Sequence, residues 1–202
     1  MTPQPDRVLD LFRQTGAYLQ GHFRLSSGLH SSGYLQSALV LQHPKYAELL
    51  GRRLAEELYP LTKQACIGSV ISPALGGLII GHEVARAMSH SGNAVRFLFT
   101  ERDADRKMSL RRGFTISPGE KVVVIEDVIT TGGSTKEVID VVRAHGGEPI
   151  AAGSIIDRSG GAVALGIPRA ALETLTVPVW EPQSCPLCAK GEPAAKPGSR
   201  PG

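Results

Sequence analysis

From residue 67 onward, short apolar runs alternate with glycine-containing turns and with helical patterns. The runs are continuous in Val, Ile and Leu, which is typical of strands that are buried on both faces of a parallel sheet. Each parallel connection needs a crossover, which is usually a helix. The predicted strands are 67–72, 94–100, 121–127, 150–156 and 175–179, and the helices predicted between them include 78–88 and 134–145. The sequence therefore predicts an α/β fold with a doubly wound, mainly parallel sheet that is flanked by helices.

The two ends of the chain differ from this pattern. Residues 8–19 and 44–60 have the apolar spacing of helices, and residues 21–33 indicate a loop or an irregular strand pair. Residues 181–202 hold five of the 14 prolines and little periodic hydrophobicity. We therefore expect one domain over residues 1–180, followed by a Pro-rich surface tail that is extended or partly disordered.

Composition argues against several classes of protein. The 22 basic and 19 acidic residues leave a net charge of only +3, and aromatic residues make up 5% of the chain. Neither value favours a nucleic-acid-binding surface. No apolar run reaches the length of a membrane span, the first residues do not form a signal peptide, and three cysteines do not make a disulfide framework. We expect a cytoplasmic protein that binds neither membrane nor nucleic acid.

The segment 122–134 carries the strongest chemical signal, and reads Val-Val-Val-Ile-Glu-Asp-Val-Ile-Thr-Thr-Gly-Gly-Ser. A buried strand ends here in Glu126 and Asp127, whose acceptor-only carboxylates suit the vicinal hydroxyls of a sugar. The Thr and Gly residues of 130–134 offer hydroxyls and backbone N–H groups at the start of a helix, which suits a phosphate monoester. Because the carboxyl ends of parallel strands face the ligand crevice, the two features together predict a ribose 5-phosphate site.

Each half of this pattern also has an ordinary structural interpretation. The acids are compatible with a solvated strand end, and Thr-Thr-Gly-Gly is compatible with a simple turn. Their combination is more informative, because a Val/Ile strand precedes them and Ser134 and Glu137 follow with the spacing of a capping box. The glycines at 146–147 then predict the end of the helix. We therefore favour a ligand site.

Residues 126–134 resemble the phosphoribosyl-diphosphate motif of type I phosphoribosyltransferases, and nearly the whole chain is similar to the orotate phosphoribosyltransferase family. The narrower likeness rests on Gly-His-Phe-Arg-Leu-Ser-Ser-Gly-Leu-His-Ser at 21–31 and on Ile-Asp-Arg at 156–158. It implies a type I phosphoribosyltransferase fold with a small N-terminal hood over about residues 1–40. It also implies a Mg²⁺-dependent reaction of pyrimidine biosynthesis, in which orotate and phosphoribosyl diphosphate become orotidine 5′-monophosphate and diphosphate.

The resemblance also implies roles for single residues. Glu126 and Asp127 would hold the ribose hydroxyls, while Arg158 and Thr130 would contact orotate, whose carboxylate suits a guanidinium. The implied phosphoribosyl diphosphate site comprises Glu126, Asp127, Val128, Ile129, Thr130, Thr131, Gly132, Gly133, Ser134, Arg102, Arg106 and Lys107. Mg²⁺ would bind mainly through the substrate, so no metal ligand is assigned to the protein. A salt bridge to Asp157 is the structural alternative for Arg158.

The stretch 101–113 has five basic and three acidic residues. Such a charge run is usually solvated surface, and the alternative is a mobile lid that brings cations to the departing diphosphate. In the family that the chain resembles, a basic loop here reaches into the neighbouring subunit's site, which implies a homodimer with shared active sites. The predicted catalytic residues are the cations Lys107 and Arg102 and the acid Asp127. Arg106 is predicted as a further ligand of the diphosphate.

The sequence departs from the better-known orotate enzymes at two places. Their lysine after the first sheet strand is replaced here by Leu75-Gly76-Gly77, and the lysine–histidine pattern of their mobile loop does not align cleanly with residues 102–107. The glycines at 76–77 would let backbone N–H groups approach a diphosphate. A tight connection between strand and helix explains them equally well.

Cys185 and Cys188 have the spacing of half a zinc site, but no second Cys or His pair stands nearby in the sequence. Free thiols on a surface tail and a metal shared at a dimer axis are both open. His22 and His30 lie in a predicted loop, where a histidine is more often structural than catalytic. By resemblance their segment covers the base site, with Tyr34 as a stacking partner.

Three functions remain in competition. The first is phosphoribosyl transfer to orotate, and the second is the same transfer to a purine or another base. The third is a non-catalytic regulator that senses phosphoribosyl diphosphate and binds nucleic acid. Arg158 favours an anionic base, while the net charge of +3 and the lack of an added DNA-binding module disfavour the regulator.

Overall fold

The structure is a computed structural model that describes residues 7–25, 27–89 and 94–196. In chain order its elements are α1 (Val8–Gln14), β1 (Tyr18–Arg24), β2 (His30–Leu35), α2 (Ser37–Leu41), α3 (Pro44–Thr62), β3 (Ile67–Pro73), α4 (Gly77–Met88), β4 (Arg96–Arg102), β5 (Met108–Leu110), β6 (Lys121–Ile129), α5 (Gly133–Ala144), β7 (Glu148–Asp157), β8 (Arg169–Thr174), β9 (Val179–Trp180) and α6 (Pro186–Ala189). Residues 1–6 of the predicted hood, the predicted loop residue Ser26 and the last predicted tail residues, 197–202, lie outside the described residues.

The chain divides into two compact units, one formed by residues 1–40 and 176–202 and the other by residues 41–175. The sequence suggested a separate tail from residue 181, whereas this division joins residues 176–202 to the N-terminal segment. Because the two parts of the first unit are far apart in sequence, periodicity along the chain carries no sign of their association.

The first unit contains a three-stranded antiparallel sheet in the order β1-β2-β9. The segment 21–33 is thus largely a strand pair, with an irregular register between Gln20 and Phe23. Within the predicted tail, residues 181–196 contain a 3₁₀ turn and the short helix α6. Near their end, Ala195 donates its N–H to the carbonyl oxygen of His22 at 2.8 Å.

The second unit contains a six-stranded sheet in the order β5-β4-β3-β6-β7-β8. All neighbouring strands are parallel except β4 and β5, which form an antiparallel hairpin at one edge. The predicted α/β class with a mainly parallel sheet is therefore confirmed. The α3 helix packs against α4, and α5 packs against the central strands as well.

Alternate residues of the central strands point into two apolar layers, because side chains of a strand alternate between its faces. On one face, Val122 and Val124 belong to the same buried cluster as Val138 of α5. On the other face, a side chain at Gly153 would meet Ile125 and Leu58 of α3 at 2.9 Å. Helices therefore cover both faces, which explains why the strands are apolar runs and not alternating patterns.

The last strand of the six-stranded sheet is β8, at Arg169–Thr174, whereas the sequence predicted a strand at 175–179. The prediction is wrong because the segment Arg169–Thr174 is only half-buried at the sheet edge and contains neither Val nor Ile nor an aromatic residue that would signal a strand. The more β-like residues that follow include Pro178, which has no N–H for a ladder. The α3 helix likewise extends past the predicted end at Pro60 to Thr62.

Within the described residues, we find no helix whose length and apolarity are sufficient to cross a bilayer.

Candidate active site

The candidate site lies where the order of the sheet reverses. From β3 the chain proceeds to β4 on one side, whereas β6 lies on the other side of β3 and is followed by β7. The loops that leave β3 and β6 therefore diverge, and a crevice is left at the carboxyl ends of these two neighbouring strands. Both glycine-containing segments singled out in the sequence, 74–77 and 130–133, begin at these strand ends.

The acid pair lies inside β6 and not at its end, because the strand continues from the predicted end at Asp127 to Ile129. Glu126 is buried with 8% of its surface exposed, and Asp127 is half-buried. The Glu126 Oε1 atom accepts a hydrogen bond from the Asp127 N–H at 3.2 Å. Burial first, and then the neighbouring charge of Asp127, raise the pKa of Glu126 well above its ordinary value.

The turn from Thr130 to Gly132 joins β6 to α5. Gly132 has φ +73°, and a Cβ there would lie 2.5 Å from Cγ1 of Val163, so only glycine fits. Thr130 and Thr131 are exposed, and the helix begins at Gly133. The N–H groups of its first turn have no acceptors within the helix and point toward the turn, an arrangement that suits an anion.

The capping box that the sequence predicted is wrong. The N-cap residue is Gly132, no side chain caps the helix, and Ser134 lies within its first turn. Glu137 instead pairs with Arg102 of β4, with 2.6 Å between Oε2 and Nη2. The spacing of Ser134 and Glu137 was misleading because a tertiary ion pair takes the acid.

The turn after β3 approaches the acid pair closely. A Cβ placed on Gly76 would lie 2.7 Å from Oδ1 of Asp127 and 3.0 Å from its Cγ. The backbone of Gly76 is right-handed helical, so glycine is required here by space and not by its backbone angle. The Ala74–Leu75 peptide in this turn is cis. The glycine of this turn thus gives the Asp127 carboxylate room at the crevice.

Gly76→Ala is expected to lower kcat/KM by about 10–10²-fold, because the added methyl displaces the Asp127 carboxylate by a fraction of an ångström or more. The unfolding free energy should change by less than about 1 kcal/mol, since the clash falls on the end of a flexible side chain. Steady-state kinetics with thermal unfolding measure both. In an Asp127→Ala background the same change should cost almost nothing, and full additivity of the two effects contradicts this account.

The charged stretch 101–113 is a hairpin, not a shapeless loop. Asp103 Oδ1 accepts hydrogen bonds from the N–H groups of Asp105 and Lys107, at 3.0 and 2.9 Å, and closes the turn between β4 and β5. Arg106 has φ +62° at its tip. Because β4 runs parallel to β3, the turn lies at the same edge of the sheet as the crevice.

The cations of this hairpin differ in their partners. Arg102 binds Glu137 and also donates to the Arg106 carbonyl oxygen at 2.6 Å. Arg112 pairs with Glu101 at 2.7 Å, which lowers the pKa of that carboxyl group. Lys107 is exposed, and no carboxylate of a described residue lies within 4.0 Å of its ammonium group.

Arg158 follows β7 directly and lies next to the end of β6, since its N–H donates to the Ile129 carbonyl oxygen at 2.8 Å. Its exposed fraction is 9%. Asp157 is bound by Ser159, through its N–H at 2.8 Å and its hydroxyl at 2.6 Å, and by an ion pair with Arg169. Sequence reasoning missed Arg169, because no local pattern links it to an acid 12 positions earlier in the chain.

Asp157→Asn is expected to reduce the unfolding free energy at pH 7 by about 1–3 kcal/mol, because it removes the charge that Arg169 faces. Burial acts to raise the pKa of Asp157, but the hydrogen bonds from Ser159 and Arg169 outweigh it and the pKa lies below its ordinary value. The difference between wild type and variant should therefore persist above about pH 3.9 and shrink as the pH falls further. Denaturant unfolding from pH 3 to 7 measures it, and a difference that grows on acidification contradicts it.

Known proteins resemble this chain in both sequence and fold. Residues 40–168 match the family described as phosphoribosyl transferase domain. The orotate phosphoribosyltransferase of Pelotomaculum thermopropionicum is 53% identical over 195 residues, which cover 96% of this chain and 97% of that protein. That of Desulforamulus reducens is 50% identical over 195 residues, with the same coverage of 96% and 97%.

Among solved structures, the crystal structure of orotate phosphoribosyltransferase from Aeropyrum pernix matches with a TM-score of 0.62 and 25% identity. The match covers 83% of this chain and 93% of that one. The relationship inferred from the motifs at 21–31, 126–134 and 156–158 is therefore confirmed. Relatives with about half of their residues identical match nearly the whole chain, and the order of the sheet reverses at the acid pair. The chain therefore belongs to the orotate phosphoribosyltransferase family.

Proposed function

We propose that the protein transfers the 5-phosphoribosyl group from phosphoribosyl diphosphate to orotate, which yields orotidine 5′-monophosphate and diphosphate. The single observation that carries the proposal is the acid pair of β6, followed by the Gly132 turn, at the switch point of a sheet in a member of this family. Such a reaction is a pentosyl transfer of pyrimidine biosynthesis.

The ribose 5-phosphate portion of the donor fits the end of β6. The N–H groups at the start of α5 and the hydroxyls of Thr130, Thr131 and Ser134 would bind the 5′-phosphate. The Glu126 and Asp127 carboxylates would accept hydrogen bonds from the ribose hydroxyls. The backbone of Val128 and Ile129 lies between these two groups and sets their separation.

A magnesium ion fits the donor atoms in this crevice. Mg²⁺ prefers hard oxygen ligands and usually binds through one or two carboxylates, substrate oxygens and waters. Asp127 offers such a carboxylate, half-buried beside a glycine that leaves space in front of it. When bound with the substrate, the ion would neutralise charge on the diphosphate.

The diphosphate leaving group requires cations or N–H groups on its other side. The backbone at Gly76 and Gly77 would bind it in the role that the sequence left open. Lys107, at the hairpin turn, would approach the diphosphate as charge develops on it, and Arg106 would support it. Arg102 would have to exchange Glu137 for the anion, so we place Lys107 first among the cations.

Orotate would bind beside the end of β7. Arg158 is positioned by its backbone bond to Ile129, and a guanidinium can pair with the orotate carboxylate through two parallel hydrogen bonds. Thr130 lies at the start of the adjacent turn and would contact the base. The sugar carbon develops oxocarbenium character during transfer, so exclusion of water by the hairpin would suppress hydrolysis.

Two further features belong to the proposal. A basic hairpin at this edge is consistent with a homodimer in which one subunit completes the site of the other, and the expected location is the cytoplasm.

Sedimentation equilibrium of the purified protein tests the dimer directly. Mixing Lys107→Ala and Asp127→Asn subunits tests the sharing of sites, since a mixed dimer regains one complete site only if they are shared.

The assay that tests the function follows the ultraviolet absorbance of orotate after addition of phosphoribosyl diphosphate and Mg²⁺. We expect absorbance loss that depends on both additions. Turnover with hypoxanthine or adenine but not with orotate would replace the proposal by a purine transferase. Tight binding of phosphoribosyl diphosphate without turnover of any base would favour a sensor.

A further inference from the structure

Four side chains with metal-binding atoms converge in the first unit, and none of them takes part in the proposed reaction. They are His22 of β1, His30 of β2, and Cys185 and Cys188 at the two ends of a Cys-Pro-Leu-Cys turn, and their ligand atoms all lie within 4.8 Å of one another. The second pair of ligands, which is absent from the neighbouring sequence, is thus supplied by residues more than 150 positions earlier in the chain. Only the pairing of the C-terminal segment with β1 and β2 reveals it.

The distances from the histidine nitrogens to the two sulfur atoms are those of a tetrahedral metal site, whereas the two nitrogens lie closer together. His22 Nε2 lies 2.8 Å from His30 Nδ1, 3.4 Å from Cys185 Sγ and 3.7 Å from Cys188 Sγ. Cys188 Sγ lies 3.3 Å from His30 Nδ1. Zinc bonds of about 2.0–2.1 Å to nitrogen and 2.3 Å to sulfur imply ligand separations of about 3.3–3.8 Å in a tetrahedron. Three of the four separations already lie in that range.

The outer nitrogen of His22 has the partner that a metal-binding histidine needs. His22 Nδ1 lies 2.7 Å from the carbonyl oxygen of Glu192, which can only accept a hydrogen bond. The proton of a neutral His22 is therefore on Nδ1, and the lone pair of Nε2 faces the cluster. Such an outer hydrogen bond to a carbonyl is the usual arrangement around metal-binding histidines.

The C-terminal segment buries almost no apolar side chains of its own. Cys185 is the only buried residue between Glu181 and Lys196. Its 3₁₀ turn and the four-residue α6 are too short to be stable alone. Backbone contacts fix the segment before and after the turn, where His30 pairs with Trp180 and Arg24 donates to Ala195 at 2.7 Å. A segment without an apolar core typically needs a metal or a disulfide.

We propose that His22, His30, Cys185 and Cys188 bind one Zn²⁺ ion, which fastens the C-terminal segment to β1 and β2. Two thiolates and two imidazoles are a common ligand set of structural zinc sites, and four protein ligands leave no open position for catalysis. Three of the ligands are buried, while the exposed Cys188 provides a route of entry. A hydrogen bond between the two histidines would account for their own contact, but not for two sulfur atoms beside the same nitrogens.

Metal analysis of the untagged full-length protein tests the proposal. We expect about one Zn²⁺ per chain after gel filtration. Cys188→Ser and His30→Ala should each lower the bound zinc to below about one fifth of a molar equivalent. The matched control is Cys66→Ser, because Cys66 is also an exposed cysteine outside any disulfide but lies in the other unit. A metal-free wild type, or variants that retain the full equivalent, would overturn the proposal.

Reconstitution keeps the test valid if a variant folds poorly. Wild-type protein stripped by a chelator should bind one equivalent of Co²⁺ and develop the intense visible bands of a tetrahedral thiolate site. Its thermal midpoint should rise with added Zn²⁺, whereas that of Cys188→Ser should not. Weak octahedral bands, or a Cys185–Cys188 disulfide in freshly isolated protein by mass spectrometry, would contradict the zinc site. These readouts do not depend on enzymatic activity.

Discussion

We expect Lys107→Ala to lower kcat by about 10²–10³-fold and to change the Kd for orotate by less than about threefold. The reason is that the ammonium group lies at the turn of the β4–β5 hairpin and has no carboxylate partner within 4.0 Å among the described residues. It can therefore meet the charge that develops on the departing diphosphate. Single-turnover kinetics and equilibrium titration with orotate separate the two quantities.

Two variants control for the general loss of a positive charge. Lys107→Arg should retain more activity than Lys107→Ala, because it keeps the charge but not the geometry of the ammonium group. Lys63→Ala removes an exposed lysine just after α3 and should leave turnover unchanged. An unaltered kcat in Lys107→Ala would remove the hairpin from the chemistry and leave it as solvated surface.

Glu126→Gln is expected to produce opposite changes in activity and stability. We expect kcat/KM to fall by about 10²–10³-fold, because a ribose hydroxyl loses its charged acceptor. The thermal midpoint at pH 7.5 should rise by about 2–4 °C, because the buried carboxylate and its repulsion with Asp127 are removed. Kinetics and calorimetry on the same preparations measure the two effects.

The sign of the pH dependence makes this prediction specific. Since the folded pKa of Glu126 is raised, wild type loses stability as the pH rises above the ordinary glutamate value of about 4.3, and the variant should lack this loss. Glu120→Gln is the matched control, because burial is outweighed there by hydrogen bonds from the Ser117 N–H and from Arg96, and the pKa of Glu120 is lowered. That variant should lose stability near neutral pH. Equal destabilisation by both changes would contradict the assignment.

Local patterns predicted the parts of the fold whose side chains are buried on both sides. The strands at Ile67–Pro73 and Lys121–Ile129 consist largely of consecutive apolar residues, so the sequence alone predicts that both of their faces are buried. The glycines at 76 and 132 were also informative, since each stands where a Cβ would collide with another part of the chain. The motif at 126–134 therefore indicated both the sheet and the ligand end of its central strand.

Other features depend on tertiary contacts that no local pattern encodes. The strand Arg169–Thr174 is recognisable only through its pairing with β7. The position of Glu137 in the sequence predicts a helix cap, but in the fold Glu137 forms an ion pair with Arg102. The cluster of His22 with Cys185 is the strongest example, because its halves lie 163 positions apart. Spacing rules detect metal ligands that are close in sequence, and here only one half met them.

The proposed function requires transfer of the phosphoribosyl group to orotate and not to water. Phosphorus NMR of a reaction with orotate, phosphoribosyl diphosphate and Mg²⁺ measures this, because donor, diphosphate and nucleotide give separate signals. We predict that diphosphate and orotidine 5′-monophosphate appear in equal amounts, and that both disappear from the Asp127→Asn reaction. Diphosphate accompanied by free ribose 5-phosphate, or an unchanged donor signal, would contradict the proposed function.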